Sequence, residues 1–342
     1  MTEKPPLVTV IAVCYNHSRF VIECLESIRA QTYTNVQLII MDDCSSDESV
    51  TLISDWIKLH QIKCEFIAHE VNRGLCRTLN EAVKLSKGRY ISMIATDDCW
   101  LPEKIKFQVS EMESMPATVG VLYSDAYRIS ENGQLLPKMF ISSYREFESP
   151  PTGNLKADLL HGNFIPAMTT LIRRTVYEQI GLYDENLVYE DWDFWLRTSN
   201  YFDFAFSQYP SANYRIVSTS MARTILTPKN GEAHYSFFQI NRKILAMDNI
   251  KKTSRCRTAQ RMLVASRGMY FTDHPKALYA LTQTFLLTRR PLSLYLMVLV
   301  LLGLPCAYHQ RLVRTTNSIK NYVLWRYSQL KKKIESPTNK EN

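Results

Sequence analysis

Apolar and polar positions change in regular blocks along the first 130 residues, and these blocks predict strands separated by helices. Five apolar, largely β-branched runs have strand length: 8–14, 36–42, 62–68, 89–97 and 119–127. Between them apolar residues recur at helical spacing, and Gly88 ends the helix predicted at 75–87. Alternation of this kind predicts an α/β fold with a doubly wound, mostly parallel sheet and helices on both faces.

Paired acidic residues follow two of the predicted strands: Asp42-Asp43 and Asp97-Asp98. Doubly wound sheets bind ligands beyond the carboxyl ends of their strands, so both pairs are candidates for a site. Asp42 and Asp43 could accept hydrogen bonds from a nucleotide base or ribose, or could cap the next helix.

Asp97 and Asp98 end an apolar run that should be buried, so their charges repel unless a cation or hydrogen-bond donors compensate. Mg²⁺ or Mn²⁺ prefers oxygen ligands and keeps positions free for phosphate, so this pair predicts a divalent metal beside a diphosphate. The alternative is a solvated turn. The Cys99-Trp100 pair that follows makes such a turn less favourable.

A third acidic cluster, EDWDFWLR, occupies 190–197. On a helix, Trp192, Trp195 and Leu196 share one face, and Asp191 lies toward the N-terminal end. The cluster could present a carboxylate of raised basicity among aromatic rings that stack on sugars. An acidic first turn favoured by the helix dipole is the alternative explanation.

The net charge of +8 hides two regions of opposite sign. Residues 1–220 carry 20 Lys and Arg against 28 Asp and Glu, whereas residues 221–342 carry 21 against 5. The second region shows helical spacing and contains an uncharged segment at 291–308, short for a membrane span. It could lie in the membrane interface, span the bilayer, or be an ordinary buried helix. Because no nucleic-acid-binding motif occurs, the basic region predicts an anionic membrane surface as partner.

These differences predict three regions: a catalytic α/β domain at 1–220, a basic helical region at 221–335, and a disordered tail at 336–342. The eight cysteines form no CxxC pair, which fits a reducing compartment. The first residues lack the apolar core of a signal peptide. We therefore expect a protein at the cytoplasmic face of a membrane.

Several segments, in the right order, closely resemble glycosyltransferase family 2, whose members have the GT-A fold and invert anomeric configuration. The resemblance covers roughly residues 7–217. The segments that carry it are VTVIAVCYNHSRF…QLIIMDDCSSDES, NRGLCRTLNEA, KGRYISMIATDDCW, IGLYDENLVYEDWDFWLR and YRI.

The resemblance implies a role for each matching residue. Tyr15 and Asp43, with Asp42 beside them, match nucleotide-binding positions, and Arg73 and Arg77 flank the base and diphosphate. Asp97 matches a donor-side position, Asp98 a metal-binding position and Asp191 the catalytic base. Glu190 and Trp192 match the acceptor side. Arg215 either assists the metal or forms a surface ion pair. Val217 departs from the pattern, because many relatives have a metal- or phosphate-binding His there.

Taken together, the residues and the resemblance predict transfer of a sugar from a UDP-sugar, less favourably a dTDP-sugar, to a lipid-linked saccharide during O-antigen or other surface polysaccharide synthesis. An inactive nucleotide-sugar-binding protein is one alternative, although Asp43, Asp98 and Asp191 are all present. A nucleotidyltransferase is another. It would not need the acidic aromatic helix, and the chain lacks a Gly-rich phosphate loop.

Overall fold

The computed structural model describes residues 4–217, 230–248, 250–269 and 272–301. In this part of the chain one sheet has eight strands in the order β3-β2-β1-β4-β7-β6-β8-β5. The strands are β1 Val8–Cys14, β2 Val36–Asp42, β3 Cys64–Ala68, β4 Tyr90–Ala95, β5 Cys99–Trp100, β6 Val119–Ser130, β7 Leu171–Arg173 and β8 Asp203–Ile216.

The first half of the sheet is parallel, as predicted. β1 pairs in parallel with β2 and β4, and β2 pairs with β3. The strands at 8–14 and 36–42 have the predicted bounds, whereas β3 and β4 are shorter than predicted and β6 is longer. β1 is buried along its whole length, as expected for a central strand with helices on both faces.

The second half of the sheet is mixed. β7 is antiparallel to both β4 and β6, β6 and β8 are parallel, and β5 pairs antiparallel with β8. The sequence pattern did not predict β5, β7 or β8. β5 and β7 are too short to show a period of their own, and along β8 buried and half-buried positions follow no strict alternation.

Helices cover both faces of the sheet and continue after it. In the described residues they are α1 Val21–Arg29, α2 Ser49–His60, α3 Leu75–Leu85, α4 Lys104–Ser114, α5 Phe140–Tyr144, α6 Lys156–Leu159, α7 Arg174–Ile180, α8 Asp191–Thr198, α9 Gly231–Ala246, α10 Lys252–Met269, α11 His274–Thr288 and α12 Pro291–Leu301, with one 3₁₀ turn at Ala167–Thr169.

Helix α9 packs directly on the sheet domain. Its Ile240 and Ile244 belong to the same apolar core as the strands and α8. Lys243 Nζ donates to Asp184 Oδ2 and to the buried Asp193 Oδ1, each at 2.7 Å. The basic region thus begins with a helix that shares the core of the acidic region, joined by an ion-pair contact.

The end of the predicted apolar segment and the predicted tail lie outside the described residues. Within the described ranges, α12 covers 291–301, and none of the helices there has both the length and the apolar character needed to cross a bilayer. Several large apolar side chains of α11 and α12 are exposed: Tyr279, Leu286, Leu287, Leu292, Leu294 and Val298.

Candidate functional site

The carboxyl ends of the first four strands meet at one edge of the sheet. Asp43 N donates to Cys14 O, His69 N donates to Asp42 O, and Thr96 N donates to Val13 O, each at 2.9 Å. The residues that follow these strands are therefore neighbours. The sheet brings the two acidic pairs, which are 55 residues apart in the sequence, to a common edge.

Asp43 is held by a ring of donors. Its two carboxylate oxygens accept from Arg73 N and Gly74 N, each at 2.8 Å, and His69 Nδ1 lies 2.9 Å from Oδ1. Gly74 has a φ of +84°, which a residue with a side chain rarely adopts. Burial alone would raise the pKa of Asp43, but hydrogen bonds from Arg73, His69 and Gly74 hold it below its usual value. The carboxylate is therefore fixed and charged.

Asp42 shapes the turn after β2. Its oxygens accept from Ser45 N at 2.8 Å and from Ser45 Oγ at 2.6 Å, and it is fully buried. Both oxygens are thus occupied by the loop that follows. Asp42 therefore shapes this turn, and its expected contact with the donor stays a prediction.

Tyr15, Arg73 and Arg77 leave their side chains accessible around Asp43. The Tyr15 ring is 49% exposed directly after β1. Arg73 Nη1 lies 2.8 Å from Glu81 Oε2, and Arg77 Nε lies 3.4 Å from Glu185 Oε2, all four side chains being substantially exposed. Exposed ion pairs are weak, so both guanidinium groups can exchange a carboxylate for a phosphate.

Asp97 and Asp98 differ in exposure. Asp98 is buried and accepts from Arg215 N at 2.7 Å, while Asp97 is half-buried with its Oδ2 3.9 Å from His17 Nε2. Burial and the charge of Asp97 raise the pKa of Asp98 well above its usual range, despite the hydrogen bond and charge of Arg215. Two adjacent carboxylates of this kind fit a divalent cation that takes its other oxygen ligands from diphosphate and water. Among the described residues, no group of three or more His, Cys, Asp or Glu side chains is arranged to hold a metal without such ligands.

Arg215 is a buried structural residue. Its guanidinium donates to Asp97 O at 2.9 Å, Glu131 O at 3.2 Å and Glu23 Oε2 at 2.6 Å, and it lies over the Phe20 ring. Arg215 thus forms an ion pair with the exposed Glu23 while being buried itself, and its expected role beside the metal stays a prediction. It positions the Asp97-Asp98 turn against β8 through its backbone N–H and its side chain.

Asp191 begins helix α8, where the sequence placed it. Its Oδ2 accepts from Asn163 Nδ2 and its Oδ1 from Trp192 N, both at 2.6 Å. Burial raises the pKa of Asp191 to about 6, against the lowering effect of the bonds from Trp192 and Asn163. Burial and then the charge of Asp191 raise the pKa of Glu190 to about 8. The two carboxyl groups titrate as a pair close to neutral pH, as a general base requires.

Trp192 packs inside the protein and does not line an open acceptor surface. Its ring is 4% exposed, its Nε1 donates to Leu159 O at 2.8 Å, and the ring of Phe237 from α9 lies 5.6 Å away. The expected acceptor-side role therefore falls to other groups near Asp191. Glu190, which is half-buried, remains a candidate on that side.

Helix α3 connects the two parts of the site. Its first turn carries the Gly74 N–H that binds Asp43. The pKa of Cys76 on the same helix is raised by burial. The negative charges of Glu190, Asp184 and Asp191 raise it further. These electrostatic effects place the carboxylates of α8 close to the first turn of α3. Helix α3 therefore contacts Asp43 at its N-terminus and lies near the carboxylates at the start of α8.

Comparison with known proteins agrees with this geometry. The model of the family described as "Glycosyl transferase family 2" matches residues 9–181, half of the chain, including both acidic pairs. The chain belongs to glycosyl transferase family 2. The match ends before Asp191, so the family model does not itself cover the candidate base.

Relatives match a longer stretch of the chain than the family model does. An uncharacterized glycosyltransferase of Rickettsia typhi is 30% identical over 204 residues, which are 58% of this chain and 61% of the relative. A second relative is the Escherichia coli UDP-Glc:alpha-D-GlcNAc-diphosphoundecaprenol beta-1,3-glucosyltransferase WfaP. It is 33% identical over 190 residues, which are 56% of this chain and 69% of the relative. The chain thus spans about three fifths of the length of the Rickettsia glycosyltransferase.

The fold of this family 2 member is GT-A. A crystal structure of Staphylococcus aureus TarS 1–349 in complex with UDP-GlcNAc superposes with a TM-score of 0.57, at 17% identity, over 82% of this chain and 81% of TarS 1–349. The predicted fold class is therefore confirmed: a mostly parallel sheet with helices on both faces, followed by a helical region.

Two residues of the site were missed by the sequence reasoning. His69 follows β3 directly and so obeys the same strand-end rule that identified the acidic pairs. Asn163 lies in a loop with no such signal, and only the folded chain shows its bond to Asp191. The first could have been found from the pattern, and the second could not.

Proposed function

We propose that this chain is an inverting glycosyltransferase that moves a sugar from UDP, less favourably dTDP, to a hydroxyl of a polyprenyl-diphosphate-linked saccharide. The observation that carries the proposal is the contrast between a fixed, charged Asp43 and an Asp191 whose pKa is raised to about 6, on either side of helix α3. The acceptor class is supported by the similarity to WfaP. Surface polysaccharide assembly, such as that of O-antigen, is the process that fits this acceptor.

In the proposed reaction Asp43 binds the nucleotide, with Tyr15 stacking on the base, and Arg73 and Arg77 bind the diphosphate. Asp191 removes the proton from the acceptor hydroxyl as that oxygen attacks the anomeric carbon from the face opposite the diphosphate. Asn163 orients the carboxylate for this transfer. Attack from the opposite face inverts the configuration of the sugar.

Asp98, with Asp97 beside it, would hold Mn²⁺ or Mg²⁺. When bound, the metal supplies Lewis-acid stabilisation of the charge on the departing diphosphate. The backbone bond from Arg215 to Asp98 fixes the turn that carries both carboxylates.

A transfer assay tests this function. The purified full-length chain is incubated with a panel of UDP- and dTDP-sugars and a polyprenyl-diphosphate-sugar acceptor, with Mn²⁺, with Mg²⁺ or with EDTA, and the products are identified by mass spectrometry. We expect transfer from one donor, abolished by EDTA and restored by either metal. Donor binding without transfer to any acceptor would favour the inactive binding protein, and full activity in EDTA would remove the metal from the proposal.

We further propose that the basic region, from about residue 221, brings the enzyme to the cytoplasmic face of a membrane. The exposed apolar side chains of α11 and α12 lie on either side of Arg289 and Arg290, an arrangement that suits a helix pair lying in the interface. Each Lys or Arg near an anionic surface contributes about 1 kcal/mol. Flotation of the full-length chain with anionic liposomes tests this proposal. Binding that is lost at high salt supports a position on the surface, and binding that resists salt and alkaline wash indicates insertion. A chain that does not bind at low salt contradicts the proposal.

A further inference from the structure

A cluster of positive charge surrounds residue 161, two residues before the Asn163 that binds Asp191, and takes no part in the mechanism above. Arg257 and Arg261 are one turn apart on α10 and so share a face, and Arg145 reaches the same loop from the end of α5. All three surround His161. We refer to these four residues as the arginine cluster.

The contacts show how the cluster is built. Arg261 Nη1 donates to Leu160 O at 2.9 Å and its Nη2 to His161 O, while Arg257 Nη1 contacts the ring of His161. Arg145 lies 3.3 Å from Asp158 Oδ1. Among the described residues, Asp158 is the carboxylate paired with this cluster, so three guanidinium groups face one counter-charge.

The positive charges of the cluster act on one another. Burial lowers the pKa of His161, and the positive charges of Arg257, Arg145 and Arg261 lower it further. Burial, followed by the charge of Arg257, lowers the pKa even of Arg261. Arg257 is exposed and its contact with His161 uses one of its nitrogens, so other N–H donors of its guanidinium can bind a ligand.

The loop of the cluster also reaches the candidate base. Gly162 has a φ of +127° and lies between His161, which contacts Arg257, and Asn163, which binds Asp191. The Cα atoms of His161 and Asn163 are at most about 7 Å apart. Arg261 lies 5.6 Å from the ring of Trp192, the neighbour of Asp191.

We propose that the arginine cluster binds the diphosphate of the acceptor, with Arg257 as its principal exposed ligand, so that the sugar next to that diphosphate presents its hydroxyl to Asp191. Guanidinium groups bind phosphate oxygens in paired, charge-assisted hydrogen bonds. This inference rests on the proposed function and assigns the group that recognises its acceptor class. It gives the basic region a specific task beyond general attraction to a membrane.

The test compares two acceptors in detergent solution, without lipid vesicles: a sugar diphosphate with a short alkyl tail, and the alkyl glycoside of the same sugar. Arg257→Gln should raise KM for the diphosphate acceptor about tenfold, the loss expected for one charge-assisted contact, with kcat retained. KM for the glycoside should not change, and Arg257→Lys should restore much of the lost affinity. Arg255→Gln is the matched control, because Arg255 is exposed on roughly the opposite face of α10.

Calorimetric binding of the diphosphate acceptor without donor separates the two proposals. Arg257-dependent binding without transfer would refute the proposed function and leave this site standing. Transfer with equal KM in wild type and Arg257→Gln would refute the site and leave the function standing. If Arg257→Gln weakens only the binding of anionic vesicles that contain no diphosphate acceptor, the cluster binds lipid headgroups and the inference is wrong.

Discussion

Asp43 and Asp191 are both carboxylates shielded from water, yet their surroundings act on them in opposite directions. Asp43 accepts hydrogen bonds from two backbone N–H groups of the α3 start and from His69, so it stays charged. Asp191 has two close donors, but burial beside Glu190 prevails and its pKa rises. A carboxylate that binds a ligand benefits from a fixed charge, whereas a general base needs a pKa near the working pH. The number of donors around each carboxylate thus distinguishes the two proposed roles.

Replacing the base should have the largest effect. We expect Asp191→Asn to lower kcat by a factor of about 10² to 10⁴, the usual contribution of general base catalysis, while the Kd for UDP stays within about twofold of wild type. Stopped assays with saturating donor and calorimetry with UDP measure both quantities. Glu178→Gln on α7, which removes an exposed carboxylate, is the control. Nearly full turnover in Asp191→Asn would exclude Asp191 as the base.

The matching change at the nucleotide site should act on binding. Asp43→Asn keeps the shape of the side chain but turns an NH₂ group toward the N–H of Arg73 or Gly74, so donor meets donor. We expect the Kd for UDP to rise about 10- to 100-fold, with a smaller change in kcat at saturating donor. If Asp43→Asn and Asp191→Asn weaken UDP binding equally, the two carboxylates do not have separate roles.

The pH profile should show the difference in the wild-type enzyme. The base must be deprotonated, so a pKa raised to about 6 predicts that kcat/KM falls as pH drops through about 6, by about tenfold per unit below it. The pKa of Asp43 is lowered, so UDP binding should persist through the same range. Rates and UDP affinity measured from pH 4.5 to 8 check this. If kcat/KM and the affinity for UDP fall together as the pH is lowered, the titrating group lies at the nucleotide site.

Thermal stability should move in opposite directions at the two sites, with the smallest effects. The pKa of Asp191 is raised in the folded state, so its protonated carboxyl group stabilises the fold fully at pH values below its pKa in the unfolded chain. That contribution to stability is lost as the pH rises through about 6. Asp191→Asn should therefore raise the Tm at pH 8 by a few degrees, since about 1 kcal/mol corresponds to roughly 2–4 °C. Asp43→Asn should lower the Tm at pH 8. The pKa of Asp43 is lowered in the folded state, so its charged carboxylate stabilises the fold at pH values above its pKa in the unfolded chain. A lower Tm for both variants would mean that Asp191 is also held mainly by its hydrogen bonds.

Much of the parallel half of the sheet and its acidic edge could be predicted from the sequence. Long β-branched runs such as 8–14 and 36–42 carry their own signal, because a strand buried on both faces is apolar throughout. β5 and β7 have two and three residues, too few to show a period. Their positions depend on partners distant in the chain, as when Cys99 pairs with Asn213.

The sequence by itself determined which carboxylates sit at strand ends and at the start of α8, because strand length, helix spacing and chain order are local properties. Tertiary structure alone decided which partners each carboxylate has. Asp42 is bound by Ser45 of its own turn, whereas Asp43 is bound by the backbone of Arg73 and Gly74 and by His69, although the two are adjacent. Arg215 is buried against Phe20, Trp192 is buried beneath α9, and Asn163 binds Asp191 from a segment distant in the sequence. Burial and hydrogen-bond partners set the charge of a side chain and the groups that it can contact. Burial and hydrogen bonding in turn arise from contacts between residues that are far apart in the sequence.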